Sequence, residues 1–193
     1  MKRLSIPLAA VAFLGVVGTA NAQARLNDAQ LIETLSVLDQ SKAIDIEALR
    51  RKAADSVAAN RGPNASLREP LSQELDNLSQ ITVEILFRTG SAVVRPESFR
   101  AIGLIADTLR HPTLLQYKFL IVGHTDASGD RKSNLTLSQK RADAVRLALV
   151  TTFGIAPGRV FSVGLGEEQL QDRTNPTAQI NRRVQVVNVG RTR

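Results

Sequence analysis

The residue types best suited to chemistry in this sequence are one aspartate and one arginine, Asp126 and Arg141. Asp126 stands in the polar run Gly123-His124-Thr125-Asp126-Ala127-Ser128-Gly129, directly after the apolar segment Phe119-Leu120-Ile121-Val122. A loop that leaves a rigid strand is a common place for binding side chains. Arg141 and Lys140 lie near the start of a long helix read from about Thr136 to Phe153, with Thr136 and Gln139 as its capping box. Cations in a first helical turn oppose the macrodipole by a few tenths of a kcal/mol, up to about 1. A cation kept there has an anion to hold, and the free backbone N–H groups of the helix start would favour the same anion. Asp126 and Arg141 could therefore grip a zwitterion, the ammonium at one and the carboxylate at the other. Equally, they could pair with each other and only fasten the loop.

Other chemistries fit less well. His124, Asp126 and Ser128 are the residue types of a catalytic triad, but they alternate within one short loop and no nucleophile elbow accompanies them. His124 and Asp126 lack a third candidate ligand, so no metal is expected. With no cysteine there is no disulfide, thiolate site or acylated N-terminal cysteine. The reading is of a binding protein, not an enzyme, with no cofactor.

Around this loop the hydrophobic periods change along the chain. Residues 24–61 read as helix: Asn27 or Asp28 can cap a segment carrying Leu31, Ile32, Leu35 and Leu38, and Asp45 one carrying Ile46, Leu49, Ala53 and Val57. Two short amphipathic helices must bury their stripes on the main domain, on each other or on a partner. Residues 62–80 read as a linker, with a further helical turn around Leu71–Leu78. From residue 81 an alternating run through Val83, Ile85 and Phe87 reads as a strand. Pro96 opens a helix with the stripe Phe99, Ile102, Ile105 and Leu109, which Pro112 ends. The run Phe119–Val122 suits a central strand covered on both faces. Ala142, Val145 and Leu149 give the long helix its buried stripe, and Val160–Val163 and Val184–Val189 supply two more strands. The order β-α-β-α-β-β predicts an α/β domain, a two-layer α+β sandwich over 81–190, preceded by a short helical region at 23–61.

The N-terminus reads as an address. Lys2 and Arg3 precede 14 apolar or small residues from Leu4 to Val17, and Gly18-Thr19-Ala20-Asn21-Ala22 follows. This is a secretory signal, expected to be cut after Ala22 so that 1–22 is removed. Pro7 and Gly15 break the stretch, which is too short for a membrane span of roughly 20 residues. No span is expected in the mature chain. The formal charge of +7 falls by the two charges of Lys2 and Arg3 to +5. Basic residues are scattered and no aromatic-interleaved patch exists, so nucleic acid is not an expected partner.

Several motifs together resemble a known family. They are Phe87-x-x-Gly90-Ser91-Ala92, Gly123-His124-Thr125-Asp126-x-x-Gly129, Asn134-x-x-Leu137-Ser138-x-x-Arg141-Ala142-x-x-Val145, Gly164-x-Gly166-Glu167 and Asn181-Arg182-Arg183-Val184. In this order they resemble the peptidoglycan-binding domain of the OmpA family, over about residues 80–190. The resemblance implies non-covalent binding of the diaminopimelate residue of the wall's stem peptide. It puts the ligand's ammonium on Asp126 and its carboxylate on Arg141. Asn134 matches an asparagine that orders the loop and helps to bind, and Thr125, Ser128 and Arg182 fall near the site. Gln185 stands where the family often has an acid. The resemblance also implies residence in the periplasm of a Gram-negative bacterium, in association with the outer membrane. Family members carry a barrel, an acylated cysteine or a membrane helix, and none is read here, so a soluble periplasmic version is expected. Peptidoglycan is the expected partner. An alternative reading has residues 24–80 bind another envelope protein, in an assembly role for which the wall-binding domain is the tether.

Overall fold

The computed structural model describes residues 28–36, 44–59 and 71–191. The expected leader at 1–22 and residues 62–70 of the expected linker lie outside the described residues, as do Asn27 and Leu38. Three helices come first: α1 (Asp28–Ser36), α2 (Ile46–Ala58) and the single turn α3 (Gln73–Asp76). Then follow β1 (Gln80–Val83), α4 (Phe99–Arg110), β2 (Tyr117–His124), α5 (Arg131–Thr151), β3 (Val160–Gly166) and β4 (Val184–Arg191), in the order read from the sequence. The strands form one sheet ordered β1-β4-β2-β3, with β4 antiparallel to β1 and β2, and β2 parallel to β3.

Helices α4 and α5 cover one face of the sheet. Ile102, Ile105 and Leu109 of α4 and Ala142, Val145 and Leu149 of α5 pack against Ile81, Val83, Phe119, Ile121, Val160 and Val186. Each large aliphatic side chain so buried contributes roughly 1.5–3 kcal/mol. Leu31 and Leu35 of α1 join this core. The opposite face carries Leu120, Val122, Val163, Leu165 and Val187, and these are covered by Leu49 and Ala53 of α2, Leu75 of α3 and Leu78 just after it. The two expected layers are present, and α2 with α3 adds a third over the second face. Leu31, Leu35, Leu49 and Ala53 of the N-terminal helices are thus buried on the domain itself. Asp45 caps α2 as expected, accepting from Ala48 N (2.9 Å). Residues 71–80, read as the end of a linker, are packed structure in which Ser72 caps α3.

Three local expectations change. The first strand stops at Val83, where its ladder with β4 ends at Val184, and Phe87 pairs only through an isolated bridge to Val94. Phe99 is 38% exposed instead of buried. The residues before α4 form a 3-10 turn, Pro96–Ser98, whose tighter pitch shifts the phase. Ser98 takes the buried place and accepts from Leu86 N (2.7 Å). Finally, α5 begins at Arg131, not near Thr136.

Two features set how α5 lies on the sheet. A Cβ at Gly123 would meet the Ser138 carbonyl oxygen, and one at Gly164 would meet the backbone nitrogen of Gln139. The helix backbone therefore rests on the strand backbones at these glycines. In addition, α5 and α2 occupy the open edge of β3 with side chains. Val160 O accepts from Arg146 Nε (2.6 Å) and Ser162 O from Arg50 Nη2 (2.6 Å). Gly164 N donates to Gln139 Oε1 (2.8 Å), and Gly166 N to Ser138 Oγ (2.8 Å).

Gly164→Ala must force helix and strand apart, and overpacking of this kind costs about 1–3 kcal/mol or more. Urea unfolding is expected to show that loss, while Gly158→Ala, where an added Cβ has open space, stays near wild type. Equal midpoints for the two variants would mean that α5 does not rest on β3 as described.

Candidate ligand-binding site

The site forms where the loop after β2 meets the first half of α5 and the residues before β4. The loop is held from three sides. Thr125 N donates to Gly166 O (2.9 Å), and Ala127 N to Pro176 O (2.9 Å). Asn134, buried on α5, donates from Nδ2 to Asp126 O (3.2 Å), Ser128 O (3.0 Å) and Glu167 Oε2 (2.7 Å). Pro176 is itself fixed by Asn181, which is fully buried. The Asn181 side chain donates to Asp172 O, Asn175 O and Pro176 O and accepts from Gln171 N and Asp172 N.

Within this frame Asp126 is 4% exposed. Its Oδ1 accepts from Ser128 N (3.0 Å) and from the Ser128 hydroxyl, and its Oδ2 from Arg182 Nη1. Burial alone would raise the Asp126 carboxyl, but the Ser128 hydroxyl, Arg182 and the Ser128 backbone together hold it below its ordinary value. It is an anion at neutral pH. Arg182 is the more exposed member of the pair, with 45% of its side chain exposed.

Arg141 does not pair with Asp126. Its Nε donates to Ser91 O (3.1 Å), and its guanidinium lies 5.0 Å from the centre of the Phe87 ring. Burial lowers its pKa first, the like charge of Arg182 lowers it further, and Asp126 acts in the opposite direction. Among the described residues no carboxylate forms a salt bridge with it. The loop-fastening alternative is therefore taken by Arg182, and Arg141 is left beside Asp126 and Arg182 with no carboxylate bonded to it among the described residues.

The reason first given for an anion at Arg141 is corrected by the helix boundary. Asp130 caps α5, accepting from Ser133 N (2.8 Å), and the Thr136 hydroxyl donates to Lys132 O inside the helix (3.0 Å). Lys140 and Arg141 consequently lie in the third turn, where the macrodipole has little effect. Packing on Phe87 and Ser91 positions Arg141 instead.

Thr125 is buried beside Asp126, and its hydroxyl has no hydrogen-bond partner among the described residues. The structure thus brings Asp126, Thr125, Ser128, Asn134, Arg141 and Arg182 around one place. Sequence reading missed Phe87 and Ser91 as the seat of Arg141 and Glu167 as the anchor of Asn134, although all three stand in the quoted motifs. The triad alternative has no geometry. The Ser128 hydroxyl donates directly to Asp126, and His124 bonds to neither.

His124 belongs to the other face of the sheet. It is 2% exposed, and neither ring nitrogen makes a hydrogen bond among the described residues. Gln185 and Arg183 are also buried there. Gln185 Nε2 donates to Gln80 Oε1 (2.9 Å), and Arg183 Nη2 to Gln169 O (3.1 Å). Burial pushes Arg183 down to about 10. An acid at position 185 would add a buried charge that the amide avoids.

Burial, then the charge of Arg183, holds the His124 imidazole well below its ordinary pKa, only partly offset by Gln185. The unfolded chain takes up this proton near pH 6.5 and the folded protein does so only at lower pH. His124 should therefore cost no stability above about pH 6.5, and stability should fall as pH drops toward the folded value, by at most about 1.4 kcal/mol per pH unit. In urea unfolding at pH 7 and pH 5, His124→Asn is expected to lose less stability than wild type between the two. Identical losses would remove His124 as the cause.

The C-terminal part of the chain is similar to known proteins. The model of the OmpA family matches residues 86–183. Outer membrane porin F of Pseudomonas fluorescens is 32% identical over 108 residues, which cover 55% of this chain and 32% of that protein. The peptidoglycan-associated lipoprotein of Mesorhizobium japonicum is 30% identical over 118 residues, covering 61% of this chain and 68% of that protein. The crystal structure of the peptidoglycan-associated lipoprotein from Burkholderia pseudomallei is 32% identical, with a TM-score of 0.44, over 54% of this chain and 87% of that one. The match therefore spans about a third of the porin's length.

Proposed function

The chain belongs to the OmpA family, and from that premise we propose that it binds peptidoglycan without cleaving it, through a clamp for the diaminopimelate of the stem peptide. The observation that carries this reading is the half-buried Arg141, without a carboxylate partner among the described residues, sharing one site with the ionised Asp126. The free ammonium of diaminopimelate takes the place of Arg182 at Asp126 Oδ2. The carboxylate on the same carbon lies against Arg141, with the displaced Arg182 and the unpartnered Thr125 hydroxyl as further donors. Ser128 and Asn134 keep the Asp126 carboxylate aimed. No side chain is asked to move a proton or attack a bond, so the reading is one of binding only.

A charge-assisted hydrogen bond contributes on the order of 1.5–3 kcal/mol. Two such ends, less the cost of ordering and of displacing Arg182, give a dissociation constant of about 10 μM to 1 mM for one diaminopimelate. The wall repeats its ligand densely, so weak single contacts still hold the protein there. Relatives named as outer membrane porins and peptidoglycan-associated lipoproteins support a place in the envelope of a Gram-negative bacterium, on the periplasmic side. The alternative of partner docking through residues 24–80 gains no support from Leu31 and Leu35 of α1 or Leu49 and Ala53 of α2, which are already buried on the domain.

Co-sedimentation of the protein with diaminopimelate-type sacculi tests the clamp. Asp126→Ala and Arg141→Ala, each checked for folding, are expected to bind about 10- to 150-fold more weakly, since each removes one charged end. If wild type and both variants pellet equally, the site is not the one that meets the wall.

A further inference from the structure

A groove adjoins the clamp that the zwitterion does not use. It encloses about 870 Å³ between residues 90–93 and the first half of α5. Gly90, Ser91 and Val93 form one wall, and Lys132, Thr136 and Lys140 the other. These last three stand four residues apart and therefore line up along one side of the helix. Asn134 also lines it, and Ser91 carries the carbonyl that seats Arg141, so groove and clamp share walls.

Its charge is one-sided. Two lysines line the groove, and no aspartate or glutamate does. Among the described residues neither ammonium forms a hydrogen bond or salt bridge, and the acid that acts on Lys132 electrostatically is Asp130 at the helix cap. From Lys132 to Lys140 the helix rises about 12 Å. That is the span of three to four residues of extended chain. The opposite wall has no large polar side chain, and Val93, 51% exposed, offers an apolar surface to methyl and methylene groups.

We infer that this groove is a second subsite, which takes an extended acidic peptide and places the free carboxylate of the residue adjoining the zwitterion in the field of Lys140 and Lys132. The inference rests on the clamp reading above and adds a specificity to it. A wall peptide whose adjoining carboxylate is free binds better than the same peptide with that group amidated. Free diaminopimelate, which does not extend along the groove, is indifferent to the lysines.

Titration calorimetry on the full chain separates the two ideas. The probes are free diaminopimelate, a tripeptide with glutamate before diaminopimelate, and the same tripeptide with glutamine there. The acidic tripeptide is expected to bind about 5- to 20-fold more tightly than the amidated one, since each exposed lysine supplies roughly two- to fivefold. In Lys132→Gln/Lys140→Gln, checked for folding by circular dichroism, that ratio falls to about 1, as it does at high salt. Binding of free diaminopimelate stays at the wild-type value. Equal affinity of the acidic and amidated tripeptides for wild type overturns the subsite and leaves the clamp standing. So does an equal loss for both peptides in the lysine variant. Absence of binding by free diaminopimelate overturns the clamp, and the subsite with it.

Discussion

Everything about the site depends on how closely α5 lies on β2 and β3. Where two backbones meet at Gly123 and Gly164, no side chain intervenes, so the helix has one height above the sheet. Ser138 and Gln139 then fix its position along the strands through bonds to Gly166 N and Gly164 N. A helix so placed presents Asn134 to the loop after β2 and Arg141, two turns later, to the loop after β1. The side chains of the candidate site are thus held by a contact between backbones.

The charges of the site balance in a way that suits an exchange. Asp126 would be costly to bury alone, and Arg182 with Ser128 satisfies it while the site is empty. Because Arg182 is largely exposed, releasing Asp126 returns a solvated cation to water instead of stranding a buried one. Arg141 is different. It is held by Ser91 and Phe87 and not by Asp126. A loop aspartate between two arginines so differently held can favour a ligand bearing both charges over one bearing either.

Much of the architecture could be read from the sequence because its signals are local. The order of helices and strands along the chain, the Asp45 cap, the stripe of Ala142, Val145 and Leu149, and the burial of Phe119–Val122 follow from period and turn chemistry alone. The misplaced start of α5 is also local in origin: Thr136 and Gln139 have the pattern of a capping box, but Asp130 is a good N-cap six residues earlier, and the earlier one prevails. Tertiary facts were not legible. That Arg182 and not Arg141 pairs with Asp126 depends on the approach of β4 to the β2 loop. That α2 covers a second apolar face depends on residues 71–80 being packed and not extended. The residues that the motifs name lie near one another in the structure, while the physical reason first given for Arg141 applied to a helix end it does not occupy.

The occupied rim of β3 has a consequence for the protein in company. A terminal strand with free amides and carbonyls invites the strand of another molecule to add to it. Here Arg146, Arg50, Gln139 and Ser138 already fill those positions, at alternate residues from Val160 to Gly166. A ligand repeated across a surface gathers copies of its receptor at high local concentration, which is the condition under which such zippering is most dangerous. On that side four backbone groups of the rim are already bonded, so an added strand finds fewer partners there.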